Sequence, residues 1–228
     1  MRTYKDIQYN LRKSERKTAS FYIERDGQVS LLVPNSLEDH QIEELIEKKR
    51  KWIYTGLAEW KDLNAAHVHR TFVNGQGFLY LGRSYRLKIV EEQDEPLRLL
   101  NGYFSLSRNS LNEHTDEVFK LFYRERGLDL IPSRVGQFQK SMGVSTGRVR
   151  IRELGNRWGS CSQTGNLNFH WKCLMAPLSV IDYIVVHELV HLKHPNHSTA
   201  FWSEVEKIMP DYADRKEWLR VNGAGLAL

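Results

Sequence analysis

The sequence predicts an α+β fold, with an N-terminal half of antiparallel strands around one long helix and a mainly helical C-terminal half. Three patterns in the 228 residues predict it. Short alternating runs separated by turn residues fill much of residues 1–110, one amphipathic stretch interrupts them, and apolar residues recur at helical spacing from about residue 112. The predicted boundary therefore separates a β-rich subdomain, 1–110, from a helical subdomain, 111–228.

The first strands follow from alternation. Residues 7–11 alternate between apolar and polar, and Asp26-Gly27 separates two further apolar runs in the manner of a hairpin turn. Residues 42–53 carry apolar side chains at steps of three and four, which predicts a helix.

Two more hairpins are predicted before residue 110. One turns near Gly82-Arg83, within FLYLGRSYRLKIVEE, and the other turns at Asn101-Gly102, within LRLLNGYFSLS. With the first strands, they predict an open, twisted antiparallel sheet.

The second half begins with a helical pattern from about 112 to 142, which Gly127 and Pro132 are expected to interrupt. VRIREL at 149–154 alternates as a strand, and the polar, glycine-punctuated segment 155–165 reads as a loop leading to a short strand at 167–169.

Composition excludes several classes of protein. No stretch approaches the roughly 20 apolar residues that cross a bilayer, and the N-terminus has no signal-peptide pattern, so we expect a cytoplasmic protein without membrane contact. Cys161 and Cys173 are the two cysteines, and we expect buried thiols rather than a disulfide. The net charge of +5 points only weakly to nucleic acid, since basic runs such as residues 48–51 usually form solvated helix faces.

The strongest chemical signal lies in the helix that Pro177 opens. LSVIDYIVVHELVHLKH is apolar almost all round, which is typical of a buried helix. Within it stands His187-Glu188-Leu189-Val190-His191, and this spacing places both histidines on one face, one turn apart, where their imidazoles can bind one metal ion.

A third ligand is needed, because a catalytic zinc site has three protein ligands and one open position. Pro195 ends the helix at about His194, and the Pro195-Asn196 turn can aim His197 back toward the metal. His194 is the competitor on a similar helical face, and we favour His197. The predicted ligands are thus His187, His191 and His197; imidazole ligation suits zinc but permits other divalent transition metals.

Glu188 is the predicted general base. Zinc acidifies water and polarises a carbonyl or phosphoryl oxygen, and a neighbouring carboxylate accepts the water's proton and transfers it to the leaving group. The alternative is a chance pentapeptide, which would leave three polar side chains buried at a cost in free energy.

Three other residues are weaker candidates for a role at the site. Asp182, one turn before His187 with Tyr183, either accepts a hydrogen bond from a ligand imidazole or caps the helix. Glu204 is a supporting partner, a rival ligand or a solvated glutamate, and His170 is a hydrogen-bonded histidine rather than an extra ligand.

These motifs, taken together, resemble the YgjP-like metallopeptidase domain family, which is related to the gluzincin-like and SprT-like zinc hydrolases. The residues that carry the resemblance are RWGSCS at 157–162, MAP at 175–177, VIDYIVVHELVHLKHPNHS at 180–198 and FW at 201–202, with KKRKWI at 48–53 and YLGRSYRL at 80–87 in the first half. It implies a zincin-like C-terminal half, the three histidines as ligands and Glu188 as base. It also implies that the loop at 157–162 lies beside the active site, where Arg157 or amides near Gly159 stabilise negative charge, unless the loop is a packing turn around Trp158.

The resemblance implies a metallopeptidase acting on a peptide or protein. Two alternatives stay open: a metal-dependent nucleoside triphosphate pyrophosphatase, with a substrate such as UTP, and a nucleic-acid-associated SprT-like protease module. The pyrophosphatase differs from the peptidase in the expected shape of its active-site cleft. Phosphates favour a closed pocket lined by Arg or Lys, whereas an extended peptide favours an exposed sheet edge beside the metal. The sequence predicts no oligomeric state.

Overall fold

The computed structural model describes residues 1–24, 27–63, 70–155 and 157–228. They form an α+β fold, as predicted, and the chain divides into two compact units, residues 1–67 and 68–228. The boundary predicted between residues 110 and 111 falls inside the second unit. No helix in the described ranges is both long and apolar enough to cross a membrane.

The first unit is a four-stranded sheet packed on one helix. Its strands are β1 (Arg2–Tyr4), β2 (Ile7–Ser14), β3 (Ser20–Ile23) and β4 (Val29–Pro34), and its helix is α1 (Asp39–Leu63). Ile42, Ile46 and Ile53 of α1 are buried with the apolar side chains of β2 and β4, which confirms the predicted helix. The hairpin between β3 and β4 is also confirmed, although Asp26 of its predicted turn lies outside the described residues.

The second unit begins with another four-stranded sheet, β5 (Gly77–Tyr80), β6 (Arg83–Val90), β7 (Leu97–Leu100) and β8 (Tyr103–Ser107). Both predicted hairpins are present. Asn101 and Gly102 have φ of 50° and 79°, the left-handed conformation that a two-residue hairpin turn requires.

The strands of the first 110 residues thus form two sheets, and neither is purely antiparallel. The orders are β1-β2-β4-β3 and β5-β6-β8-β7, with parallel central pairs β2–β4 and β6–β8. Alternation and turn residues reveal hairpins, but a parallel pair joins strands that are not adjacent in sequence, so local patterns do not predict it.

Helix α2 (Thr115–Met142) runs for 28 residues without a break, so the predicted interruption was wrong. Pro132 lies inside the helix, where the missing N–H removes one helical hydrogen bond. Gly127 is a packing residue: a Cβ there would lie 3.0 Å from Ile151 and 3.1 Å from Leu174. The glycine lets α2 approach its neighbours closely.

The C-terminal part combines a small sheet with three helices. Its elements are β9 (Val149–Arg152), β10 (Gly159–Cys161), β11 (Leu167–His170), α3 (Leu178–Val190), α4 (Thr199–Ile208) and α5 (Tyr212–Asn222). The sheet order is β10-β11-β9, which makes β10 an edge strand among the described residues. Strand β10 was missed by the sequence analysis, which expected a loop. Helix α3 is buried along most of its length, as predicted, against α2, α4, α5 and β10.

Candidate metal centre

Helix α3 supplies two of the three predicted ligands. His187 lies in its last turn, and His191 is the residue that caps its C-terminus while keeping helical backbone angles. The two imidazole centroids are 5.0 Å apart. The regular helix ends at Val190, earlier than the predicted end at about His194, although His194 N–H still bonds to the Val190 carbonyl.

The turn after α3 brings His197 to the same point. Its ring centroid lies 4.8 Å from those of both His187 and His191, and its Nε2 is 2.9 Å from the Nε2 of His187. Each of the three histidines offers a nitrogen within 4.8 Å of the others.

His194, the rival candidate for the third ligand, contacts the cluster through its backbone. Its carbonyl accepts a hydrogen bond from Nδ1 of His191 at 3.1 Å. This contact fixes the tautomer of His191 and leaves its Nε2 lone pair available, as in many metal-binding histidines.

The electrostatics of this cluster suit a divalent cation. Burial lowers the pKa of His187 to about 3, with further lowering from His191, His197 and Lys216, and burial also lowers the pKa of the other two histidines. Neutral imidazoles are the form that binds metal. Three convergent, neutral imidazoles therefore fit zinc or another transition metal. The other ring nitrogen of His187, Nδ1, is buried and has no hydrogen-bond partner among the described residues.

Aromatic side chains form the wall of the cluster. The ring of Phe201, which is fully buried, lies 4.7 to 4.9 Å from all three imidazoles. Trp202 stacks on His197 at 5.7 Å and an interplanar angle of 23°. Their succession on an amphipathic helix just after His197 is the sequence signal, beyond the family resemblance, that points to a role at the site.

Glu188 is buried beside the cluster, with 5% of its surface exposed. Burial raises its pKa to about 8, and the positive charge of Arg157 acts in the opposite direction. The backbone of Gly159 in β10 touches the Glu188 side chain. The residue after His187 thus carries a buried carboxylate with a raised pKa that lies against an edge strand.

Asp182 and Glu204 both form ion pairs away from the histidines. Asp182 accepts two hydrogen bonds from Arg134 of α2, at 2.6 and 2.7 Å, so its carboxylate serves neither as the predicted helix cap nor as the partner of an imidazole. Glu204 pairs with Lys193 at 2.8 Å and with Lys207 at 3.4 Å. It joins α4 to the turn between His191 and His197, and it is not among the ligand-forming group.

His170 is a hydrogen-bonded histidine, as predicted. It is fully buried; the Lys172 N–H donates to its Nδ1 at 3.1 Å, and its Nε2 donates to Glu153 at 2.5 Å. Trp171 Nε1 donates to the other Glu153 oxygen at 2.8 Å. These contacts anchor the end of β11.

The two cysteines and the pair Arg157 and Trp158 are the remaining residues singled out by the sequence. Both cysteines are free thiols; Cys173 is buried, as expected, whereas Cys161 is only half-buried, which corrects the expectation for that residue. Trp158 packs against the core while Arg157 is exposed, so the segment contributes both a packing side chain and a charge near Glu188.

Comparison with known proteins gives one match over most of the chain. The family described as YgjP-like, metallopeptidase domain, matches residues 17–222. No curated protein matches.

Two solved structures share local similarity. The metallopeptidase zymogen abylysin of Pyrococcus abyssi is 28% identical, over 39% of this chain and 90% of its own, with a TM-score of 0.36. The metallopeptidase zymogen jannalysin of Methanocaldococcus jannaschii is 22% identical, over 38% of this chain and 89% of its own, with a TM-score of 0.35.

Proposed function

Because the chain belongs to the YgjP-like metallopeptidase domain family, we propose that it is a zinc-dependent peptidase in which His187, His191 and His197 hold the metal and Glu188 is the general base. The convergence of the three imidazoles beside a buried carboxylate supports the metal and base assignments. The nature of the substrate rests on a separate observation.

The edge strand beside Glu188 carries the proposal of a peptide substrate. Strand β10 pairs with β11 on one side and, within the described residues, with no strand on the other. An extended peptide can add to such an edge through main-chain hydrogen bonds. Since Glu188 packs against Gly159 of β10, a peptide added to this strand would run close to the carboxylate.

The proposed chemistry divides between the metal and the chain. When bound, a zinc ion supplies Lewis acidity that polarises a carbonyl group and acidifies water. Glu188 accepts a proton from the attacking water and donates it to the leaving amine, because its buried position makes it a stronger base than an exposed carboxylate. Arg157, whose charge acts on Glu188, is the side chain proposed to offset negative charge that develops on the substrate.

The test compares the wild type with Glu188→Gln. Each purified protein is assayed for metal content, for cleavage of an unstructured protein and for release of pyrophosphate from a panel of nucleoside triphosphates. We expect peptide cleavage by the wild type and a loss of about 10²–10⁴-fold in the variant, with metal retained, because that is what removal of a general base typically costs. Glu206→Gln is the matched control, since Glu206 is an exposed glutamate on α4.

Three results would redirect the proposal. Pyrophosphate release that depends on Glu188, without peptide cleavage, would favour the nucleotide pyrophosphatase. Cleavage that requires DNA, with binding that weakens steeply as salt rises, would favour the SprT-like module. A wild-type protein that binds no metal would rule out all of these functions.

A further inference from the structure

One cation lies at the rim of the histidine cluster. Lys216, in the second turn of α5, holds its Nζ 4.2 Å above the ring centroid of Trp202. Trp202 in turn stacks on His197 and, at 5.4 Å, on Tyr212. One indole ring, that of Trp202, therefore contacts both the ammonium group and a proposed metal ligand.

The charge of Lys216 has no carboxylate partner in the described parts of the chain. Two acidic side chains near it, at the start of α5 and within it, are already paired, Asp211 with Arg215 at 2.6 Å and Glu217 with Arg220 at 2.7 Å. The exposed Asp214, two residues before Lys216, forms no ion pair with it among the described residues. The contact with Trp202 is thus what holds the ammonium group, since a cation above an indole face is attracted to the ring.

An unpaired cation held beside a catalytic cluster attracts an anion. We infer that Lys216 is a specificity residue that binds a carboxylate of the peptide substrate close to the scissile bond, an inference that rests on the proposed peptidase function. An extended chain advances about 3.3 Å per residue, and Lys216 and His197 both contact the ring of Trp202, at 4.2 and 5.7 Å from its centroid. The recognised carboxylate therefore belongs to a residue within about three positions of the bond that is cut.

Two sources supply this carboxylate, an aspartate or glutamate side chain and the C-terminal carboxylate of the peptide. A panel of matched peptides separates them. One set carries a single Glu, moved one position at a time, against the same peptide with Gln. The second set compares a free C-terminus with an amidated one.

The measurement is the ratio of kcat/KM for the acidic and neutral member of each pair. For the wild type we expect a ratio above one and up to about five in at least one pair, since an ion pair open to solvent is worth up to about 1 kcal/mol. We expect a ratio near one for Lys216→Ala, a ratio below one for Lys216→Glu and recovery in Lys216→Arg. Lys88→Ala, an exposed lysine on β6, serves as the control and keeps the wild-type ratio.

The outcomes separate this inference from the function on which it rests. Wild-type cleavage of acidic and neutral peptides with equal efficiency, or a Lys216→Ala ratio as high as that of the wild type, overturns the role of Lys216 and leaves a peptidase. Failure of the wild type to cut any peptide, while it binds metal, overturns both.

Discussion

The backbone of Gly159 in β10 lies against the carboxylate of Glu188 in α3. A Cβ at residue 159 would lie 2.6 Å from Oε1 and 2.8 Å from Cδ of Glu188, distances that no real side chain adopts. Only glycine lets the edge strand approach the buried carboxylate this closely. The position of the proposed base therefore depends on a residue that bears no functional group.

Gly159→Ala tests this dependence. The added methyl group must displace the Glu188 side chain or β10, and we expect kcat to fall about 10- to 100-fold, since a 1 Å misplacement of a catalytic group costs about that much. Metal content should not change, because residue 159 is not one of the three proposed ligands. Gly136→Ala is the control: its Cβ would meet nothing within 4 Å on α2, so full activity is expected there. Full activity in Gly159→Ala would show that Glu188 tolerates displacement.

The pH dependence of the metal-free protein should reveal the burial of Glu188. Its pKa in the folded state is about 8, above the ordinary value of 4.5, so the folded state binds a proton that the unfolded state has released. This contribution to stability is complete below pH 4.5 and is lost as pH rises through 8. Between these limits the free energy of unfolding should fall by up to roughly 5 kcal/mol.

The measurement is urea unfolding from pH 5 to 9 in the presence of a chelator, for the wild type and Glu188→Gln. The histidines titrate in both proteins, so the difference between the two curves isolates Glu188. Parallel curves would mean that the carboxylate is hydrated in the folded protein and that its pKa is not raised.

A third prediction concerns the turn between two proposed ligands. Lys193 donates to the Met142 carbonyl at 3.0 Å and pairs with Glu204 at 2.8 Å, which ties the turn before His197 to α2 and α4. Lys193→Met frees this turn, and we expect zinc to bind about threefold to tenfold more weakly. The expected loss is at or below the roughly tenfold that contacts orienting a metal ligand directly contribute, because Lys193 supports the turn and not the imidazole itself. Titration against a competing chelator gives the affinity.

Lys207→Met is the matched control for Lys193, because Lys207 contacts the same glutamate from within α4 and does not touch the turn. We expect it to leave the affinity unchanged. Equal weakening in both variants would place the effect in Glu204 and α4 rather than in the turn.

Local sequence patterns were sufficient where the relevant contacts are local. His187 and His191 are one helical turn apart, so the period of the helix alone places them together. The turn that brings His197 to them is encoded in the adjacent Pro195 and Asn196, and the resulting convergence is present in the structure. The assignment of these residues as ligands stays a proposal until a metal is measured.

Features that depend on distant residues were not predictable in this way. Strand β10 has only Gly-Ser-Cys, a sequence with little β propensity, and exists because it pairs with β11. Trp202 and Lys216 meet across two helices, and Arg134 reaches Asp182 from 48 positions away in sequence. The periodicity of a single segment does not predict such pairs, because each pair depends on how separate elements pack together.

The Arg134–Asp182 pair leads to the last prediction, which concerns stability. It joins α2 to the helix that carries His187, and its side chains are 23% and 11% exposed. Asp182→Ala leaves a guanidinium group partly buried without its carboxylate, and we expect a loss of about 2–3 kcal/mol in the free energy of unfolding, somewhat below the cost of breaking a fully buried pair.

Two further variants complete this test, measured by urea unfolding of the metal-free protein. Asp129→Ala removes an exposed pair with Arg126, 3.8 Å apart, and should cost less than about 0.5 kcal/mol. The double variant Arg134→Met with Asp182→Leu replaces both charges by apolar side chains and should recover much of the loss, because no charge is then left unpaired. A loss in Asp182→Ala as small as that in Asp129→Ala would mean that Arg134 reaches water freely, and that apolar packing alone fixes α3 against α2.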